Sequence, residues 1–308
     1  MIVLLNRRAG GGTAPEKWRR LQSHLTMTNE FVEVLHPDDR TDMTDVVLKS
    51  QKRGDTHIVA AGGDGTIHNV LNAMMLVPEA MRSTLVLGAI GLGSSNDFHK
   101  PISPLRCVDG IPCALHFRNA CRRDVGVATM RTSMGVVTEY FLLNASVGVC
   151  AAGNEIFNQP DLVLSWLKAH YAGGAILVAA ILAIARYHNM RCAIEWRTGE
   201  RLNIALTNLG IMKSPHFSGS LHYDGAANYH NGQFQVFGAT DLAFLHRLQF
   251  LWYLSRGKFL KSRSGWMRTT DSLKLESLTE FSVELDGEIF LADQVQFSVL
   301  RNALMVCS

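Results

Sequence analysis

Gly62-Gly63-Asp64-Gly65-Thr66 is a stretch whose residue types suit the holding of a phosphate. Glycines let a backbone turn tightly and approach a ligand. The unpaired N–H groups of a helix beginning there favour an anion. The aspartate inside the turn would repel a phosphate unless a divalent cation lies between them, so the residue types point to a cation as well. A second acidic turn is Glu284-Leu285-Asp286-Gly287-Glu288. Asp286-Gly287 is a hairpin signal, and taken alone the stretch is only a hairpin leading into Ile289–Leu291.

The elements around the first turn give it a frame. His57–Ala61 is a short apolar run and reads as a buried strand. After the turn, Ile67, Val70, Leu71, Met74 and Met75 recur at helical spacing. Upstream, Met1–Leu5 reads as a strand running into Asn6-Arg7-Arg8-Ala9-Gly10-Gly11-Gly12 and a helix over Pro15–Leu25. A strand is expected near Glu30–Leu35, then a helix over about Asp42–Lys52 capped by Thr41 or Asp42. Leu85–Ile90 is a further strand, ending in Gly91-Leu92-Gly93-Ser94-Ser95-Asn96-Asp97-Phe98. This alternation describes a parallel α/β sheet. Ligands bind at the carboxyl ends of such strands, so Asn6–Gly12, Gly62–Thr66 and Gly93–Asn96 are expected to line one crevice.

From about Asp124 the texture changes to valine, threonine and tyrosine, which reads as β-strands. A helical insert is expected over Asp161 to about Tyr187. Strands follow near Arg191–Trp196, Leu202–Asn208 and Gln233–Phe237, a helix over Leu242–Leu254, and strands at Ser272–Leu275, Phe281–Leu285 and Val295–Leu300. The expected fold is therefore α/β plus all-β: residues 1–123 as one domain and 124–308 as a mainly antiparallel one, joined near Cys121–Val125.

At 308 residues the chain allows two domains. A net charge of +3 does not call for nucleic acid. Six cysteines without a CxxC pair fit a reduced, cytoplasmic setting. The apolar run Ile2–Leu5 is too short for a signal peptide. The longest apolar stretch, Ala172–Ala185, is shorter than the roughly 20 residues that span a bilayer. Because Ala175–Ala185 is apolar on all sides, it reads as a core helix.

Taken in order, Asn6…Gly10, GGDGT at 62–66, LGSSNDF at 92–98, RRDVG at 122–126 and LDGE at 285–288 resemble the diacylglycerol kinase catalytic-domain family, which includes bacterial YegS-like lipid kinases and sphingosine kinases. GGDGT alone is shared with NAD kinases and phosphofructokinases; the NDF and LDGE pieces separate this family from both. The resemblance implies a phosphofructokinase-like N-terminal α/β domain for nucleotide, a C-terminal β-sandwich domain with helical inserts for the lipid, and ATP in the cleft between them. Whether the C-terminal segment packs against the first domain is left open. By the same matching, Gly62, Gly63, Asp64, Gly65 and Thr66 hold the ATP phosphates, with Asp64 near Mg²⁺. Ser94, where the family usually has threonine, and Asn96 border the nucleotide, and Asn6 lies under the phosphate loop. Glu288 matches the residue proposed as catalytic base, with Asp286 its acidic neighbour.

Phosphoryl transfer needs positioning and charge neutralisation more than covalent help. A metal bridging phosphate oxygens supplies the neutralisation, and a carboxylate beside the acceptor hydroxyl takes its proton. One departure stands out. In some bacterial members an aspartate after a Pro-x-Ala segment helps bind a structural Mg²⁺; here the proline has become Gly225 and the aspartate Asn231. A neutral amide is a poorer ligand for a hard cation, so Asn231 is a doubtful metal residue.

Two other groups carry less. His99, Cys107, Cys113, His116 and Cys121 have spacings that match no zinc finger and read as structural. Between Asp241 and Asp271 there is no acidic residue, and Arg247, Arg256, Lys258, Lys261, Arg263 and Arg268 interleave with Trp252, Tyr253, Phe259 and Trp266. That mixture suits either a peripheral contact with an anionic membrane or a packed helix with a solvated basic loop. The expected activity is ATP- and Mg²⁺-dependent phosphorylation of diacylglycerol or a related lipid, a long-chain base included, in membrane or micelle. The alternatives are a kinase of a soluble substrate, as NAD kinases are, and a non-catalytic nucleotide- or lipid-binding regulator. Oligomeric state is not set by the sequence, a homodimer being one option.

Overall fold

The computed structural model describes residues 1–25, 32–37, 40–158, 167, 172–262 and 264–307. The chain forms two compact units, Met1–Asp124 with Asn302–Ser308, and Val125–Arg301.

The first unit holds β1 (Ile2–Leu5), α1 (Ala14–Leu25), β2 (Glu33–Leu35), α2 (Arg40–Lys52), β3 (His57–Gly62), α3 (Asp64–Met75), a single turn α4 (Glu79–Arg82) and β4 (Val86–Gly91). Short strands β5 (Cys107–Val108) and β6 (Ile111–Ala114) follow, and β7 (Cys121–Thr132) runs on into the second unit. Strands lie in the order β2-β1-β3-β4, all parallel, with Leu5 opposite Ala61 and Gly62 opposite Gly91. Val3, Leu5, Val59, Ala61, Ile90 and Leu92 pack one face against Trp18 and Leu21 of α1. Fully burying a side chain of this size contributes about 1.5–3 kcal/mol, so the apolar runs are what hold the parallel strands together. The last residues of the chain extend this sheet: Met305 and Val306 pair in parallel with Val86 and Leu87. Asn302 anchors that tail, its N–H donating to the fully buried Asp124 and its carbonyl accepting from Arg122. Helix α2 begins at Arg40, so Thr41 and Asp42 lie inside its first turn instead of capping it. Of the strand expected at Glu30–Leu35, residues 30 and 31 lie outside the described residues, and β2 starts at Glu33.

The second unit is strand-rich and its pairings are antiparallel. It continues with β8 (Gly135–Phe141), β9 (Asn144–Gly148), α5 (Val149–Asn158), α6 (Ala172–Arg186), β10 (Met190–Trp196), β11 (Arg201–Met212), β12 (His216–Phe217), β13 (Leu221–His222), β14 (Phe234–Thr240), α7 (Phe244–Ser255), β15 (Gly265–Thr270), β16 (Ser272–Leu285) and β17 (Glu288–Val306). Strands β11 and β16 each change partner along their length. Their outer parts pair with β10, and Asn208–Met212 and Val283–Leu285 pair with β9. Register irregularities at Leu206/Asn208 and Glu276/Phe281 mark the change. Such bulges turn a strand from one layer of a sandwich to the other. Phe141, Phe234 and Phe297 meet in the core, with ring centroids 5.6 and 6.2 Å from that of Phe141. The two segments expected at Ser272–Leu275 and Phe281–Leu285 are thus one strand, β16, interrupted by an irregularity.

Helix α6 departs from the expectation of a core helix. Ala175, Ala179 and Ala183 are buried, whereas Leu177, Val178 and Ile181 are exposed. The alanines form the stripe that approaches α5, where Gly153 leaves room for Ala180 and Ala183. The helix buries its alanine stripe and Ile184 and leaves Leu177, Val178 and Ile181 outside. Helix α5 was not expected from the sequence, and residues 161–166 and 168–171 of the expected insert lie outside the described residues. Arg247 also departs from the basic-surface reading. It is buried on α7 and donates to the carbonyls of Leu242, Ile184 and Tyr187 and to Asn189 Oδ1. It therefore satisfies the last carbonyls of α6, which have no partner within their own helix. Trp266 and Phe259 pack inward too, Trp266 against Trp196 and over Gly238.

Candidate active site

Strands β1, β3 and β4 are neighbours and parallel, so the turns that follow them leave the sheet at one edge. The turn after β3 and the turn after β4 touch backbone to backbone: a Cβ on Gly93 would lie 2.5 Å from the Cα of Gly63. A Cβ on Gly10 would lie 2.5 Å from the carbonyl oxygen of Leu92. Only glycine permits these approaches. Gly10, Gly11 and Gly12 all have left-handed φ, and a Cβ on Gly11 or Gly12 would meet nothing within 4 Å. The three turns therefore come together, as the sequence leads one to expect. Asn6 links two of them: its Nδ2 donates to Thr66 Oγ1 at 3.0 Å and its Oδ1 accepts the N–H of Arg8 at 2.9 Å.

Helix α3 starts after Gly63, which offers no side-chain cap, with Asp64 at its first position. The carboxylate of Asp64 reaches across to the turn after β4. Oδ2 accepts the N–H of Asp97 at 3.1 Å and Oδ1 that of Phe98 at 3.0 Å. Asn96, at φ 50°, spends its amide inside its own turn, accepting from Gly93 N–H and donating to the carbonyls of Gly91 and Gly93. Ser94 is exposed at the tip of that turn. Asp97, largely buried, is paired with Lys100 at 2.6 Å. Beside this turn, burial with the nearby Arg106 charge pushes the His99 imidazole down to about 4, so it is neutral at pH 7. Burial pushes the Cys113 thiol up to about 12, which leaves it without thiolate character.

In the second unit, Asp286 and Gly287 form the turn between β16 and β17, with φ of 48° and 98°. Two buried carboxylates hold this turn. Asp286 accepts the N–H groups of Leu142, Leu143 and Asn144 at 2.7, 2.9 and 3.0 Å, and its own N–H donates to the Asn144 carbonyl. Glu284 accepts the N–H of Gly287 at 2.6 Å and the hydroxyl of Ser146 at 2.8 Å. Asp286 is thus sequestered by backbone donors, a geometry that suits holding the hairpin more than touching a substrate. Glu288 opens β17 opposite Leu285, half-buried, and has no ion-pair partner among the described residues. Sequence reasoning passed over Glu284 as a functional residue. Alternation gave no signal for it: Glu284 lies on the face opposite Val283 and Leu285, where a charged residue reads as solvent-facing, and only the fold buries it.

Asn231 is exposed, and its Oδ1 accepts from the buried Lys213. Elsewhere in the second unit a small pocket of about 40 Å³ lies among α5, α6, α7 and the β12–β13 hairpin. Val149, Ile176, Ile184, Phe217, Leu221 and Phe250 line it. Ser218 donates to Asn154 Oδ1 at 3.0 Å on its wall.

The structure thus presents three converging glycine turns on a parallel α/β unit and an acidic hairpin in a strand-rich unit. Residues 1–130 match the family model described as the diacylglycerol kinase catalytic domain. A diacylglycerol kinase of Staphylococcus haemolyticus (strain JCSC1435) is 25% identical over 270 residues, which is 84% of this chain and 73% of that protein. A protein of Pectobacterium atrosepticum described as "Probable lipid kinase YegS-like" is 25% identical over 256 residues, 80% of this chain and 76% of its own length. In fold, the chain is similar to a diacylglycerol kinase from Bacillus anthracis str. Sterne, with a TM-score of 0.68 at 15% identity, covering 99% of this chain and 95% of that one.

Proposed function

We propose that the protein transfers the γ-phosphate of ATP to a hydroxyl of diacylglycerol or a related lipid, with Mg²⁺ required. The observation that carries this reading is the backbone contact of Gly63 with Gly93, with Asp64 tying the two turns together. Gly62–Thr66 would cradle the phosphates at the start of α3, steadied by Asn6 through Thr66. Ser94 and the turn that Asn96 holds would border the nucleotide.

Mg²⁺ fits the residues present. Asp64 places a carboxylate at the first position of α3, in the turn proposed to hold the phosphates. Mg²⁺ is commonly held by one or two carboxylates plus phosphate oxygens. When bound, it would neutralise charge on the transferring phosphate. Glu288 would take the proton of the lipid hydroxyl, with Asp286 and Glu284 holding its hairpin still.

The exterior of α6 and α7 supports a lipid acceptor. Leu177, Val178 and Ile181 on α6 and Phe244, Leu245 and Trp252 on α7 are exposed, Arg256 lies over the Trp252 ring, and Lys258 and Lys261 are exposed nearby. Apolar residues flanked by cations fit a peripheral contact with an anionic bilayer. No helix among the described residues is long and apolar enough to cross one.

Purified protein incubated with labelled ATP, Mg²⁺ and mixed micelles of candidate lipids is expected to yield a labelled lipid, and none without Mg²⁺. Label appearing instead in a soluble acceptor, with lipids inert, would overturn the assignment. For the membrane contact, Leu245→Glu/Trp252→Glu is expected to cut co-sedimentation with phosphatidylserine-containing vesicles about tenfold. A tenfold change corresponds to about 1.4 kcal/mol, less than the full burial of one such side chain, as suits residues that insert only partly. Unchanged vesicle binding by this variant would assign the contact to another surface.

A further inference from the structure

Residues 213–232 join β11 to β14 and fold back on themselves around Lys213. The N–H groups of Lys213 and Ser214 both donate to the Leu143 carbonyl, at 2.8 and 2.9 Å. The carbonyl of Lys213 accepts the N–H of Asn228 at 2.9 Å. The side chain turns inward, only 2% exposed, and its ammonium reaches the far end of the loop. Nζ donates to Asn231 Oδ1 at 3.1 Å and to the Gln233 carbonyl at 3.0 Å. Asn231 Oδ1 also takes the N–H of Gln233 at 3.1 Å. One positive charge therefore gathers the beginning and the end of the loop.

The family resemblance implies a structural Mg²⁺ at the position of Asn231, and the donor set here does not fit it. Asn231 offers a neutral amide oxygen where a hard cation wants a carboxylate. That oxygen and the Gln233 carbonyl already accept from a fixed ammonium. A divalent cation arriving there would face a positive charge at contact distance inside the protein, where screening is weak.

We infer that Lys213 stands in for a structural cation in this chain, so that the loop closes on a covalently attached charge and needs no metal. The arrangement bears on the acidic hairpin through one peptide. Leu143 donates its N–H to Asp286 and accepts from Lys213 and Ser214 with its carbonyl. Lys213 is thus a positioning residue, holding the loop beside the turn that Asp286 anchors.

The test is thermal melting of the full chain without nucleotide, in EDTA and in millimolar Mg²⁺, with metal content measured after gel filtration. The wild type is expected to melt within about 1 °C in the two buffers and to carry no stoichiometric Mg²⁺. Lys213→Met is expected to melt about 5 °C lower in both, because buried acceptors lose a charged donor. Asn231→Asp, which restores a carboxylate beside the lysine, is expected to remain indifferent to Mg²⁺. The same pair of melts on Asp64→Asn separates a cation held at the phosphate turn from one held at the loop. A wild type destabilised by EDTA and restored by Mg²⁺, with Asp64→Asn behaving alike, would overturn the inference. So would an Asn231→Asp variant stabilised by Mg²⁺ while Lys213 is present. Should Lys213→Met fail to fold, the wild-type and Asn231→Asp melts still decide. None of these readings depends on kinase activity, so their failure and that of the proposed function are distinguishable.

Discussion

Glu288→Gln is expected to lower kcat for phosphate transfer to lipid by about 10²–10⁴-fold, the usual contribution of a positioned general base. The change removes a proton acceptor and almost nothing else. Glutamine has the same shape, the Leu285–Glu288 pairing is made by backbone, and Glu288 has no ion pair among the described residues to lose. The melting temperature should therefore stay within about 2 °C of wild type, in keeping with a surface substitution away from packed features. The KM for ATP should be unchanged, since the nucleotide contacts are assigned to the first unit. The measurement is initial rate against ATP and lipid, with melting as the folding control. A variant that keeps the wild-type kcat would remove Glu288 from the chemistry.

Asp286→Ala is expected to be the more damaging substitution for stability. Three backbone N–H groups, from Leu142, Leu143 and Asn144, point at a carboxylate that is 4% exposed. Hydrogen bonds to a charged group contribute about 1.5–3 kcal/mol each, and donors left buried without a partner cost about as much. The non-additive sum should lie near 3–5 kcal/mol, or about 6–15 °C in melting temperature. Alanine also strains the turn, because Asp286 sits at φ 48°, a region that aspartate and asparagine tolerate better. Asp286→Asn separates the two effects. It keeps the backbone preference and one acceptor oxygen but loses the charge, so its loss should be roughly half that of alanine on the same grounds. Both variants should lose kcat, since Glu288 lies two residues along the same turn. If Asp286→Asn lost activity with no change in melting, Asp286 would be acting on the substrate and not on the hairpin.

Local pattern carried much of the first unit. Val3–Leu5, Ile58–Ala61 and Leu87–Ile90 read as strands because both faces of a parallel strand are covered, which leaves an unbroken apolar run. The glycine turns were legible because a backbone approach excludes side chains, and the exclusion is written as Gly62, Gly63 and Gly93. The second unit was less legible. Helix α5 is only ten residues long, with a central glycine and no acidic residue in its first turn, so local pattern did not set it apart from the strand before it. Arg247, which the charge pattern left between a membrane-facing surface and a packed helix, is buried because α6 ends beside it with carbonyls to satisfy.

The sequence by itself determined which residue types stand at the carboxyl ends of the strands, and hence that the glycine turns and an acidic hairpin exist. Short-range sterics decide those features, and they are local in the chain. Tertiary structure alone decided what the carboxylates do once there. Asp64 bonds to N–H groups over 30 residues away, and Asp286 to N–H groups more than 140 residues away. It also decided that Lys213 meets Asn231, and that the chain's last strand pairs with β4. Nothing in periodicity or composition encodes such partners, because a buried polar group takes whatever complementary group the packed chain brings to it.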